Sequence, residues 1–275
     1  MKRILLVVSL TLALFTSCQN EKKQVFLSAS DSRIEYMGRV SFDDPEMVRF
    51  TYPGVSMTVD FIGSSIAMEA KRGSGFFMVE IDDEEAFKIN FSQSDTLVVL
   101  ADSLNYDRHT VRIMYVVEGY ELKPAVKGFY IDGEVQQATK YPERKIEFIG
   151  NSITCGYGCE APTNKEHFSY ETENHYYTYA NRAARLLKAQ HLVVARSGIG
   201  IYRNYGDKPE GSDRYTMPQM YEQTLFMDST LRWDFSRYTP HVVCVNLGTN
   251  DTSLGTYDTD KMKNAYTEFV QRLRG

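Results

Sequence analysis

The chain has 275 residues, 43% hydrophobic and 24% charged, which is enough for one large domain or two ordinary ones with a sizeable core. Its formal net charge of -5 offers no basic footprint, so nucleic acid is excluded as an expected partner. Tyr (19) and Phe (15) are abundant, a bias that fits β-sheet cores better than sugar-contacting surfaces.

At the amino end, Lys2 and Arg3 precede an apolar run from Ile4 to Phe15, and Thr16-Ser17-Cys18 follow. A charged start, a short apolar stretch and small residues before a cysteine predict a secretion signal, too short to persist as a spanning helix. Phe15-Thr16-Ser17-Cys18 resembles a bacterial lipobox, which implies cleavage before Cys18 and acylation of its thiol; the alternative is an ordinary signal peptide with an incidental cysteine. Acyl chains anchor firmly because each buried methylene contributes about 0.8 kcal/mol. Residues 1–24 are thus read as lipoprotein signal and tether. The mature protein is expected in the bacterial cell envelope, lipid-anchored to a membrane that it does not cross.

Residues 25–141 read as strand after short strand. Ser56 to Phe61, Phe76 to Ile81 and Thr110 to Val116 are rich in β-branched and aromatic residues, and the first and third alternate with polar ones. Arg72-Gly73-Ser74-Gly75 and Asp132-Gly133 punctuate them as turns. Short strands without helical periodicity predict an antiparallel β-sandwich.

The character changes at Pro142. Lys145 to Ile149 is a short strand, and Tyr176 to Lys188 follows as a helix with Tyr176, Tyr179, Ala183 and Leu187 on one face. Leu192 to Ala195 suits a buried parallel strand, a helix falls around Met217 to Leu225, and Val242 to Leu247 is another buried strand. Lys261 to Leu273 is an amphipathic helix. Strands alternating with helices predict a doubly wound α/β domain over residues 142–275.

Besides Cys18 there are Cys155, Cys159 and Cys244. Export permits a disulfide, and Cys155 and Cys159 are close enough in sequence to pair, although three is odd. A zinc site needs four ligands in convergent spacing and none is visible, so neither metal nor cofactor is expected.

In open α/β sheets reactive groups collect beyond the carboxyl ends of the strands. Gly150-Asn151-Ser152-Ile153-Thr154, Arg196-Ser197-Gly198-Ile199-Gly200 and Gly248-Thr249-Asn250-Asp251 occupy that location. Each alone has a bland alternative: a strand-to-loop turn, a loop glycine, a helix or turn cap. The first is not a phosphate loop, because Gly156 is followed by Tyr157 and not by Lys.

In this order and placement they resemble blocks one, two and three of the SGNH (GDSL-like) hydrolases. The resemblance implies Ser152 as nucleophile, with the backbone N–H groups of Ser152 and Gly198 and the side-chain amide of Asn250 as an oxyanion hole. Ester hydrolysis puts negative charge on the former carbonyl oxygen, and each preorganised donor there is worth about 3 kcal/mol. Longer stretches, Ile146 to Gly158, Trp233 to Pro240 and Asn246 to Asp251, with Arg33 to Arg39 upstream, are similar to carbohydrate esterase family 2. That family joins an N-terminal jelly-roll-like β-sandwich to an SGNH domain. It implies as substrates O-acetyl groups on polysaccharides of the xylan or glucomannan type. Tyr157, Tyr202 and Trp233 are rings that would line a sugar cleft or fill the core.

The pattern breaks at the general base. The family's catalytic histidine lies in a fourth block near the C-terminus, and no histidine follows His241. His191 and His241 sit at the amino ends of their strands, His109 is in the sandwich, and His167 and His175 read as surface residues. The α/β part is also shorter than the roughly 200 residues of a complete domain of that family. The expectation is a hydrolase domain truncated at its C-terminus and weak as an enzyme without its base. Competing readings are another SGNH esterase or lipase, and a non-catalytic glycan-binding lipoprotein.

Overall fold

The computed structural model describes residues 24–275, so Cys18 and the signal segment lie outside the described residues. Ten strands come first: β1 Gln24–Ser28, β2 Glu35–Met37, β3 Ser41–Asp44, β4 Met47–Arg49, β5 Ser56–Ala70, β6 Gly75–Ile81, β7 Phe87–Phe91, β8 Leu97–Ala101, β9 Asp107–Tyr115 and β10 Ala125–Gln136. They form one antiparallel sheet in the order β3-β4-β10-β5-β9-β6-β7, with β1 also on β10 and β2 and β8 also on β5. β5 is the spine. Its first half, Ser56 to Gly63, pairs with β9, and its second half pairs with β8.

Alternate residues point inward as the pleat requires. Met57, Val59 and Phe61 of β5, Phe77 and Val79 of β6, Val111 and Ile113 of β9, and Phe129 and Ile131 of β10 are all buried in one core cluster. The other face of β5 is buried as well. Thr58 Oγ1 bonds Tyr141 Oη at 3.1 Å, and Asp60 Oδ2 accepts from Arg108 Nη2 at 2.9 Å and Thr139 Oγ1 at 2.8 Å. The segment leaving the sheet therefore covers that face. Asp132-Gly133, expected as a turn, is instead a register shift inside β10, where the two long strands bend together.

The second half comprises β11 Arg144–Gly150, α1 Ser152–Cys155, α2 Tyr179–Leu186, β12 Ala189–Ala195, α3 Met217–Met220, β13 Val242–Asn246 and α4 Thr259–Arg274. β11, β12 and β13 form a parallel sheet in the order β12-β11-β13. Ala180 and Ala184 of α2 pack with Ile146 and Phe148 on one face. Phe269 of α4 packs with Ile149 and Val194 on the other. Helices on both faces are the doubly wound arrangement.

Two helices differ from expectation. α2 starts at Tyr179 because Thr178 caps it, preceded by a 3-10 turn at His175–Tyr177. α3 is one turn long: Thr216 and Gln219 form a capping box, and the chain then leaves to make the Gln223–Arg232 bridge. Among the described residues no helix is long and apolar enough to cross a membrane.

The two halves share buried contacts. Arg39 is fully buried, its guanidinium bonded to the carbonyls of Tyr221 and Gln223 and to Glu147 Oε1 at 3.3 Å. The rings of Tyr221 and Trp233 stand 4.9 and 5.1 Å from it. Tyr52 joins the α/β core and bonds Met220 O at 3.2 Å.

Candidate active site

The parallel register sets the site. Gly150 lies opposite both Ala195 and Asn246, so the three strands end level and their loops leave from one edge. Arg196 N–H donates to Gly150 O at 3.3 Å, stitching the first two loops together.

Gly150 has no room for a side chain, since a Cβ there would stand 1.9 Å from Thr154 Oγ1. Asn151 caps α1: its side chain accepts from Ile153 N at 3.1 Å, which turns the chain sharply from strand to helix. Ser152 is thereby the first residue of α1, half-buried, and its hydroxyl makes no hydrogen bond among the described residues. Residues 196–199 form a turn closed by Ile199 N–H on Arg196 O, with Gly198 at φ +77°, a conformation that favours glycine.

Asn250 is buried, and its amide donates to Ile199 O at 2.6 Å, which leaves the second N–H of the same nitrogen uncommitted by that bond. Asp251, read from sequence as a cap, is fully buried and has a larger task. Its Oδ1 accepts from the backbone N–H groups of Ile201, Tyr202 and Arg203 at 2.9, 2.9 and 3.0 Å. The loop after β12 is wrapped around the carboxylate of the loop after β13. Ser152, Gly198 and Asn250 thus stand on three loops that the register and these bonds hold at one sheet edge.

Of the five histidines, none is hydrogen-bonded to Ser152. His175 is not a surface residue: it is fully buried, its Nδ1–H donating to Thr154 O at 2.7 Å, and it is stacked on His191, whose Nε2 lies 3.3 Å from its own. Burial pushes its pKa down to about 4, so it is a neutral packing group beneath α1. His167 is exposed, His109 pairs with Asp82, and His241 bonds Lys145 at the amino end of β13. Cys155, Cys159 and Cys244 are all free, so the Cys155–Cys159 pairing that export would permit is not made; Cys155 is buried and Cys159 exposed. Trp233 is buried under Arg39 and Arg237, whereas Tyr157 is exposed and stacks on Phe168. Tyr202 accepts from Asp258 N at 2.9 Å.

Behind the serine lies a group that no sequence motif announced. Among the described residues, the ligand atoms of Glu118, Cys155 and Glu173 lie within 4.8 Å of one another, all buried. Both carboxylates hold backbone: Glu118 Oε1 accepts from Ser197 N at 2.7 Å, and Glu173 Oε2 accepts from Glu118 N at 3.0 Å. Burial pushes Glu118 up, and burial together with the neighbouring Glu118 pushes Glu173 up to about 9; burial likewise keeps the Cys155 thiol protonated. One oxygen of each carboxyl is thus engaged by backbone, while Glu173 Oε1 makes no hydrogen bond among the described residues.

A parallel sheet with a helix-capped serine after its first strand and amide donors after the next two is the arrangement of a GDSL-like hydrolase. Family comparison agrees: residues 148–275 match the GDSL-like Lipase/Acylhydrolase family, and residues 36–140 match the Carbohydrate esterase 2 N-terminal family. The solved structure of a family two carbohydrate esterase from Clostridium thermocellum, in complex with cellohexaose, is 35% identical with a TM-score of 0.79, over 88% of this chain and 73% of that one. The chain belongs to carbohydrate esterase family 2. It is also 34% identical to a cellulase/esterase of Acetivibrio thermocellus over 88% of its own length, but it spans only 29% of that protein. An acetylxylan esterase / glucomannan deacetylase of Cellvibrio japonicus is 29% identical over 99% of this chain and 78% of that protein.

Proposed function

We propose that this chain is a serine esterase that removes O-acetyl groups from polysaccharides of the xylan or glucomannan type. Ser152 Oγ attacks the acetyl carbonyl and gives its proton to solvent water, and the N–H groups of Ser152 and Gly198 with the second amide N–H of Asn250 receive the oxyanion. The bond to the sugar oxygen breaks as that oxygen takes a proton from water, and a second water hydrolyses the acetyl-serine to acetate. The observation that carries this reading is the shared register of Gly150, Ala195 and Asn246, which sets all three residues on one edge. The name of the Cellvibrio relative supports the substrate class. We read residues 25–141 as a jelly-roll sandwich and 142–275 as the hydrolase domain. Cys18 is read as the acylated residue that holds both at a membrane of the bacterial envelope.

The test is acetate release from acetylated xylan and glucomannan, beside long-chain esters as a control. Ser152→Ala is expected to remove the serine-dependent part of the acetate release and leave only direct attack by water. Equal rates for the two proteins would overturn the nucleophile assignment. Cellohexaose binding retained by both, with no acetate released by either, would make the chain a glycan-binding member of the family.

A further inference from the structure

The loop that presents Gly198 is not held by the α/β half alone. Residues 116–118 follow β9 of the antiparallel sheet and form a bracket across the junction between the halves. Val116 O accepts from His175 N at 2.8 Å, Glu118 N donates to Glu173 Oε2 at 3.0 Å, and Glu118 Oε1 accepts from Ser197 N at 2.7 Å. Ser197 is the residue immediately before Gly198, at the second position of the 196–199 turn.

We propose that Glu118 is a positioning residue for the oxyanion hole: by holding the Ser197 N–H it pins the Arg196–Ser197 peptide, one residue ahead of the peptide that carries the Gly198 N–H, and so anchors the start of the turn that presents that donor. This rests on the reading of Ser152 and Gly198 given above. The geometry explains why a fixed acceptor is needed. A glycine at φ +77° has no side chain to oppose rotation of its peptide, so the donor's direction is set by its neighbours. Ile199 N–H closes the far side of the turn on Arg196 O at 3.4 Å, a long bond, and Tyr205 N–H holds Gly198 O at 2.8 Å. The near side depends on the Glu118 carboxyl, whose Oε1 accepts from Ser197 N–H at 2.7 Å, the shortest bond on the turn.

Glu118 is held in its turn. It is nine-tenths buried, its own N–H is tied to Glu173, and Cys155, three residues after Ser152, closes the cluster. The same carboxylate thus touches the Gly198 turn on one side and the α1 turn behind Ser152 on the other. Burial of a lone charge beside a developing oxyanion would oppose catalysis, but two carboxyls this close and this buried carry at most one charge between them, and Arg196 lies beside Glu118. The antiparallel sheet accordingly supplies a part of the active site and not a substrate handle alone.

The experiment uses the full chain and methylboronic acid, which mimics the tetrahedral intermediate. Ser152 Oγ forms a bond to boron and releases its proton to water, which leaves an anionic boronate whose oxygen occupies the oxyanion position. Boron NMR reports the tetrahedral adduct and its dissociation constant. Wild type is expected to form it and Ser152→Ala is not. Glu118→Ala is expected to weaken the adduct at least tenfold, and Glu118→Asp, which retracts the acceptor by one methylene, to weaken it nearly as much. Glu118→Gln keeps an acceptor for Ser197 N–H and is expected within threefold of wild type. In Glu118→Ala the Ser197 and Gly198 amides should exchange with solvent faster. Tyr52→Phe removes a junction hydrogen bond away from the turn and should change stability without changing the adduct.

Wild-type affinity in folded Glu118→Ala or Glu118→Asp would overturn the positioning role while leaving the serine assignment intact. Should Glu118→Ala fail to fold, Glu118→Asp carries the same comparison. No Ser152-dependent adduct in wild type would remove the nucleophile assignment and this proposal with it.

Discussion

Glu118 and Glu173 lie side by side in a region that water does not reach, so ionising both at once is strongly disfavoured. Glu173 keeps its proton up to about pH 9 in the folded protein and loses it near pH 4.5 when unfolded. Between those limits the native state binds the extra proton, so stability falls as pH rises through the window. Glu173→Gln carries no such proton while keeping an acceptor for Glu118 N–H. The melting temperature of the wild type should therefore drop further than that of Glu173→Gln between pH 5 and pH 9, followed by calorimetry; parallel profiles would contradict the shared proton. His175 acts in the opposite sense. Its pKa is near 4 folded and 6.5 unfolded, so its contribution is lost as pH falls below 6.5. Neither behaviour is legible in the sequence, where Glu173 and His175 look like polar residues of a surface insertion.

At the scale of elements, the loops matter more than the strands that carry them. Strand apolarity and spacing placed β11, β12 and β13 within a few residues, because a buried parallel strand is marked by a continuous apolar run. The helix expected at 217–225 shrank to four residues, since its start is capped but the chain leaves after Tyr221 to make the Gln223–Arg232 bridge. Asp251 shows what spacing alone does not convey: one carboxylate binds three consecutive backbone N–H groups of another loop. Asp251→Ala would leave those donors buried without a partner, at a cost of about 3 kcal/mol or more. Urea unfolding should show that loss. Amide exchange should show Ile201, Tyr202 and Arg203 unprotected while β5 stays protected. Unchanged protection of those three amides would mean that the loop is held by other contacts.

At the scale of the whole molecule, the junction between the halves is both a core and a functional surface. Arg39 reaches from the loop between β2 and β3 to Glu147 in β11 and to two carbonyls of the 221–223 segment, with aromatic rings around it. Removing one partner of a buried pair leaves the other charge uncompensated, so Arg39→Met should cost about 3–5 kcal/mol. The double variant Arg39→Met/Glu147→Leu should recover part of that loss, as measured by urea midpoints. A single variant as stable as wild type would show that the junction does not depend on this pair. From the sequence alone came the antiparallel half, the α/β half, and the three strand-end blocks holding Ser152, Gly198 and Asn250, because periodicity and turn chemistry are local and leave a mark on neighbouring residues. The tertiary structure alone decided that His175 lies buried, that Asp251 anchors a loop, and that Glu118 meets Ser197 across 79 positions. Such contacts join residues far apart in the chain, and their chemistry arises only when burial removes water from between them.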